Sequence, residues 1–298
     1  MLCDLAQMHS ESTDEEVGAV AMTATEGVLA GKTALITGVS AGLGRAVATA
    51  FVEAGASVVG TARRADQGAK LEAELGTERF AFETADVSRT ADCERLVAAT
   101  VERFGRLDVL VCNAAVRPEP PLMTIEDTDE ATWDRVIDTN VKGPFFLAKY
   151  ALGPMRAQGS GVILTIASTT AAVAVSGMSV YATSKAALAH LTRHIAVEYL
   201  DEGVRANTIL LGGTATGQQN RTTQAKAATG APVDAQAMAV PGAPLHDSSE
   251  VAKTLVTLAS DGASAITGAT IAVDHAESAG LWASRYVHLT IDAQRSAG

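Results

Sequence analysis

The stretch "TALITGVSAGLGRAVATAF", Thr33 to Phe51, decides how the rest of the chain is read. It opens as a short β-rich run, turns through Gly38, Ser40, Gly42, Leu43 and Gly44, and continues with apolar residues at helical spacing. Without side chains at the three glycines the backbone can approach a pyrophosphate closely. The N-terminus of the helix that follows favours negative charge at the same place. One glycine suffices for a plain strand-to-helix turn. Three, with Thr37 and Ser40 beside them, point to a dinucleotide site.

Outward from this turn the chain alternates two kinds of segment. "TALIT", "SVVGT", "RFAFET", "LDVLVC", "GVILTIA", "RANTILL" and "TIAVD" read as strands, and 42–54, 89–103, 129–150, 181–201 and 248–260 as helices. Near-continuous apolar strands divided by helices predict an α/β fold. The form expected is a Rossmann-like, doubly wound parallel sheet of about seven strands with helices on both faces. One domain over 29–275 accommodates them. Residues 1–28 lack periodicity and read as a disordered tail. Residues 276–298, with "LWASRYVHL", read as a C-terminal extension that packs on a neighbour. Residues 212–247 are rich in Gly, Thr, Ala, Gln and Pro and follow the sixth strand, at the carboxyl edge where such sheets bind ligands. They read as a substrate lid.

Composition excludes several classes. With 47% hydrophobic and 19% charged residues the chain is that of an ordinary soluble globular protein. Of the formal charge of −11, six negative charges lie within residues 1–31, which hold no Lys or Arg. No basic patch appears, so nucleic acid is not an expected partner. Three irregularly spaced cysteines, Cys3, Cys93 and Cys112, argue for reduced thiols and a cytoplasmic setting. The N-terminus lacks a basic region before an apolar run, and no stretch of 18 apolar residues exists. Neither a secretory signal nor a membrane span is expected.

The second strand ends in "VVGTARR". An acid at its end would bond a ribose 2′-hydroxyl and repel a 2′-phosphate, but Ala62 stands there, followed by Arg63 and Arg64. Arginine holds phosphate through charge-assisted bonds. NADP(H) is favoured on this ground, and NAD(H) stays open.

A second constellation concerns proton transfer. "YATSK" places Tyr181 and Lys185 four residues apart, on one face of a helix. A free tyrosine titrates near 10, so ionisation near neutral pH requires about three units, or ~4 kcal/mol. A cation ~4 Å away at an effective dielectric near 20 supplies roughly that. Ser168, in "TIAS", lies thirteen residues upstream of Tyr181 and can bond an oxygen as its charge develops. Asn140, in "DTNVKG", precedes Pro144 by four residues. A helix running through would leave the Asn140 carbonyl without its i+4 donor, kinked and free to hold a water.

Taken in order, Gly38, Gly42, Gly44, Asn113 of "CNAA", Asn140, Ser168, Tyr181 and Lys185 resemble the short-chain dehydrogenase/reductase family over about residues 30 to 274. The resemblance implies that Tyr181 is the acid/base and that Lys185 binds the nicotinamide ribose and lowers the phenol's pKa. Ser168 would hold the substrate oxygen, and Asn140 would anchor a water in a proton relay. Asp86 and Val87 would meet the adenine, Asn113, Ala114 and Ala115 would line the cofactor channel, and Thr214 and Thr216 match a cofactor-facing threonine region. Three positions depart from the family's wording: Ala115 and Leu211 replace a usual glycine and proline, and "VDHAE" puts His275 and Ala276 where two glycines are common.

"HLTRH" sets His190 and His194 at i, i+4 on the far side from Tyr181, where a surface or interface role fits better than metal. No metal is expected. The function expected is an NADP(H)-dependent oxidoreductase interconverting a ketone and a secondary alcohol, in a homodimer or homotetramer. The alternatives are an NAD-dependent dehydrogenase working oxidatively and a non-catalytic dinucleotide-binding sensor or scaffold. The lid's only cations, Arg221 and Lys226, with Met238, Val240 and Leu245 nearby, suggest a small, neutral, partly apolar substrate.

Overall fold

The structure is a computed structural model describing residues 27–120, 122–214 and 246–279. Seven parallel strands form one sheet in the order β3-β2-β1-β4-β5-β6-β7. They are β1 Thr33–Thr37, β2 Ser57–Ala62, β3 Phe80–Thr84, β4 Val109–Cys112, β5 Gly161–Ile166, β6 Val204–Leu211 and β7 Thr270–Val273. Every strand lies where the apolar runs place it. The reason is visible in the burial: successive residues point to opposite faces, and in the central strands both faces are covered. Ala34 and Ile36 of β1 join one core with Val109, Val111, Val162 and Leu164, while Leu35 joins a second with Leu110, Cys112 and Ile163.

The first core is closed by helices α1 Gly42–Glu53 and α2 Ala65–Leu75, and by α7 Ser248–Ala259. The second is closed by α3 Thr90–Phe104, α5 Gly143–Gln158 and α6 Ser179–Glu198. The strand order reverses between β1 and β4, and the crevice at their carboxyl ends is where a doubly wound sheet receives ligands.

Two details differ from the sequence reading. Helix α2 was not expected. Its sequence, "ADQGAKLEAEL", buries only Gly68 and Leu71, so its apolar stripe is thin. Gly68 is needed there, since a Cβ would stand 2.1 Å from the Phe82 ring. The helix expected over 129–150 is broken into α4 Glu130–Ile137, a π-helical turn at Asp138–Lys142, and α5. The break falls at Asn140, four residues before Pro144, and takes the form of a widened turn. Ahead of β1, Leu29 is fully buried and its N–H donates to the Ala54 carbonyl at 2.9 Å.

The expected tail, lid and C-terminal extension lie outside the described residues except at their ends, and so do Thr216 and the lid side chains. The neck of the 212–247 segment is described. Thr214 and His246 pair as a parallel bridge, and the His246 N–H donates to the Gly213 carbonyl at 2.9 Å. Beside this neck, His275 and Ala276 adopt φ of 47° and 65°. The glycine backbone geometry survives here without the glycines. Asp274 enforces it, accepting from the N–H of Ala276 at 3.0 Å and of Ser278 at 2.8 Å. The His275 ring in turn stacks on His246 at 3.6 Å.

A left-handed L-residue costs about 1–2 kcal/mol, against 0.5–1 kcal/mol for the extra unfolded freedom of glycine. Ala276→Gly is therefore expected to raise the melting temperature by about 1–2 °C. His275→Gly should give no such gain, because it forfeits the imidazole stack. Scanning calorimetry of both variants distinguishes the two.

Candidate active site

The glycine turn is held against the first residues after β4. Thr37 Oγ1 accepts from the N–H groups of Asn113 and Ala114, each at 3.0 Å, and the Asn113 side-chain amide donates to the Thr37 carbonyl at 2.8 Å. Space here is tight. A Cβ on Gly44 would sit 2.2 Å from the Gly38 carbonyl oxygen and 2.5 Å from Asn113 Nδ2. Gly38 and Gly42 have φ of 79° and 56°, open to glycine at no steric cost. Arg64, just past β2, reaches back to donate to Ser40 Oγ at 2.8 Å, which brings a guanidinium to the rim of the turn. Arg63 is exposed and Ala62 buried.

Asp86 and Val87 follow β3. Asp86 Oδ1 accepts from Ser88 N and Oγ at 3.0 and 2.8 Å, fixing that bend. Ala115 is half-buried beside Val116, and Thr214 is buried with its hydroxyl on the Gly212 carbonyl at 3.1 Å. These residues border one continuous carboxyl edge and fit a dinucleotide. Gly38–Gly44 would hold the pyrophosphate, Asn113 to Ala115 would flank the channel, and Arg64 with Ser40 would meet the adenosine ribose.

Ser168, Tyr181 and Lys185 come together beyond β5, all buried. Lys185 Nζ donates to the Ile166 carbonyl at 2.7 Å and lies 5.6 Å from the centroid of the Tyr181 ring. Ser168 Oγ accepts from the Thr170 N–H at 3.2 Å. Helix α6 is fixed against the sheet by buried threonines: Thr192 bonds Thr165 at 2.8 Å, and Thr165 bonds Thr208 at 3.1 Å.

Asn140 is fully buried and acts through its side chain as a clamp. Its Oδ1 accepts from the Val116 N–H at 2.8 Å. Its Nδ2 donates to the Val116 carbonyl at 2.9 Å and to Ser184 Oγ at 3.0 Å. The loop after β4, the π turn and α6 are thereby tied at one residue.

The electrostatics favour a reactive phenol. Burial pushes the Tyr181 pKa up. Lys185 and then Arg117 pull it down, helped by side-chain hydrogen bonds from Arg117 and Ser168, and the net direction is downward. Burial lowers Lys185, partly offset by the pull of Tyr181.

Arg117, on the loop after β4, is the group the sequence reading missed. Its guanidinium lies 5.1 Å from the Tyr181 ring centroid. Only its position four residues past Asn113 hinted at this.

Other candidates stand apart. His190 and His194 form an edge-to-face pair at 4.9 Å, with His194 3.7 Å from Glu198, on the exposed side of α6. His246, Glu250 and His275 bring three ligand atoms within 4.8 Å of one another. The two imidazole planes are only 16° from parallel, so their in-plane lone pairs run side by side and do not converge on one ion. Burial pushes the Cys93 and Cys112 thiols up to about 11 and about 12, which leaves them unreactive at neutral pH.

A glycine turn at a topological switch point, beside a buried Tyr–Lys–Ser cluster, defines a nucleotide-binding α/β oxidoreductase. A family profile described as Enoyl-(Acyl carrier protein) reductase matches residues 38–275. A cis-4-hydroxycyclohexanecarboxylate dehydrogenase of Sinomonas cyclohexanicum is 35% identical over 82% of this chain and 95% of its own. The 3-oxoacyl-[acyl-carrier-protein] reductase FabG of Salmonella typhimurium is 32% identical over 82% and 96%. A solved structure of levodione reductase superposes with a TM-score of 0.78 at 30% identity, covering 85% of this chain and all of that one.

The chain belongs to the short-chain dehydrogenase/reductase family. It is an oxidoreductase of CH–OH and C=O groups, and the family implies a nicotinamide dinucleotide cofactor. Among the described residues no helix is long and apolar enough to cross a membrane.

Asn140→Ala strands both polar groups of Val116. At about 1–3 kcal/mol for each group left unpaired, the expected loss of unfolding free energy is roughly 2–6 kcal/mol. Urea denaturation of Asn140→Ala beside a distant control such as Lys149→Ala measures it.

Proposed function

We propose that the protein is an NADP(H)-dependent reductase and dehydrogenase interconverting a ketone and a secondary alcohol, with Tyr181 as the acid/base. The observation that carries this reading is the Tyr181 phenol, buried with Lys185 Nζ 5.6 Å from its ring centroid, with Ser168 also buried beyond the end of β5. The bound nicotinamide supplies or accepts the hydride. Tyr181 gives its proton to the substrate oxygen in reduction and takes it back in oxidation. Ser168 donates to the same oxygen as charge develops on it, its Oγ being aimed by the Thr170 N–H. Lys185 stabilises the phenolate, held in place by the Ile166 carbonyl, and its remaining donors serve the ribose. The Asn140 side chain is engaged with Val116 and Ser184, so any relay water on this residue would rest on its backbone carbonyl.

The preference for NADP(H) is supported by Arg64 on Ser40 and by the apolar Ala62 at the end of β2. A homo-oligomer is supported by Trp133 of α4 and Phe145 of α5, which expose 44% and 49% of their surface.

Two outcomes are expected. Tyr181→Phe should lower kcat for ketone reduction by at least about a hundredfold, within the range for a lost general acid. If it turned over ketones at the wild-type rate, the mechanism would be wrong. Arg64→Ala should weaken NADPH binding about 10- to 100-fold, the worth of a charge-assisted bond, and leave NADH binding unchanged. Calorimetric titration with both nucleotides reads the difference, and equal effects on the two would remove the phosphate role.

A further inference from the structure

Two cations, not one, bear on the Tyr181 ring. Lys185 comes from the same helix. Arg117 comes from the loop after β4 and brings its guanidinium to 5.1 Å from the ring centroid, nearer than the 5.6 Å of Lys185 Nζ. The placement of Arg117 is built rather than incidental. Its own carbonyl accepts from Arg135 Nη1 at 3.1 Å, and its neighbour Val116 is clamped at both backbone groups by Asn140. Among the described residues no carboxylate lies within ion-pair distance of Arg117, so its charge is not spent on an acid. Lys185 by contrast is committed to the Ile166 carbonyl.

We propose that Arg117 acts through Tyr181 as a second cation of the catalytic centre, steadying the phenolate as the proton leaves. The inference rests on the reading of Tyr181 as the acid/base. Loss of the phenolic proton puts negative charge into the ring as well as onto the oxygen, and a guanidinium against that ring gains with both. Among the described residues the charged groups that act on Tyr181 are Lys185 from α6 and Arg117 from the β4 loop. The end of β5 contributes only the neutral Ser168, while Cys112 of β4 acts on Lys185. Among the described residues no acid opposes them, and both cations shift Tyr181 in the same direction, towards ionisation at lower pH. Arg117 is therefore a positioning residue, and it sets the pH range over which the enzyme oxidises.

The sign follows. Oxidation needs the phenolate, so its rate is present above the pKa of Tyr181 and lost as pH falls through it. Removing a cation raises that pKa and moves the acidic limb to higher pH.

The test compares wild type, Arg117→Gln, Arg117→Lys and Tyr181→Phe. Tyrosinate is titrated by ultraviolet difference absorbance without substrate, and kcat/KM for alcohol oxidation is followed against pH with one neutral and one carboxylate-bearing secondary alcohol. In Arg117→Gln the transition that is missing from Tyr181→Phe should move up by about one pH unit. On both alcohols kcat/KM should fall about tenfold below the limb and recover above it. Arg117→Lys should restore most of the shift.

A Tyr181 transition in Arg117→Gln that superimposes on wild type overturns the proposal. So does a loss confined to the KM of the carboxylate substrate, which would make Arg117 an anchor for anionic substrates. Because the titration is read without substrate, its failure is separable from failure of the acid/base reading, which Tyr181→Phe activity reports.

Discussion

Lys185 carries an ammonium group into an interior where 2% of its surface meets solvent, and a charge so placed needs partners. It has the Ile166 carbonyl, freed where β5 ends, and the phenol one helical turn before it. Much of the surrounding architecture serves this arrangement. Strand β5 must end at Ile166 so that a carbonyl faces the helix. Helix α6 must start early enough for Tyr181 and Lys185 to share a face within it, and it begins at Ser179. The threonine contacts among Thr165, Thr192 and Thr208 hold that helix at its distance from the sheet. The phenol's pKa is then drawn below its ordinary value by virtue of where the chain is cut and turned.

The same economy governs the other half of the site. Thr37 closes β1 and receives two N–H groups from the chain leaving β4, so the glycine turn and the β4 loop are one hydrogen-bonded unit. Asn140 extends that unit to the π turn and, through Ser184, to α6; Ser184 in turn donates to the Tyr181 carbonyl at 2.7 Å. A continuous polar chain therefore runs from the glycine turn to Tyr181. It is fully satisfied and mostly buried, and such a network rigidifies a site more than pairwise contacts would.

The strands, the glycine turn and the Tyr181–Lys185 pair were legible because each is written in local spacing: period two, a run of glycines, four residues on one helix. Pro144 marked a break near Asn140 but not its form, because a missing N–H can be absorbed by a kink or by a widened turn. Helix α2 escaped because it buries too little for its period to register. Arg117 escaped for another reason. Nothing in "VRPEPP" says which way an arginine side chain turns, and its course to Tyr181 depends on Arg135 and Asn140, 18 and 23 positions further along. Contacts of that span belong to the tertiary fold.

The carboxyl edge between β6 and β7 shows how a family feature is kept with different residues. Glycines at 275 and 276 would accept a left-handed backbone freely. Here Asp274 imposes it through two N–H bonds, and Glu277 Oε1 accepts from the Gly213 N–H at 3.1 Å, across the turn after β6. His275 then has a side chain where glycine has none, and it lies flat against His246, whose burial, followed by the nearby His275 ring, lowers its pKa. The stack joins the chain entering α7 to the end of β7, at the neck where Thr214 pairs with His246. Replacing a glycine pair by His-Ala thus exchanges backbone freedom for a side-chain contact. That contact fastens the edge of the sheet that carries Thr214.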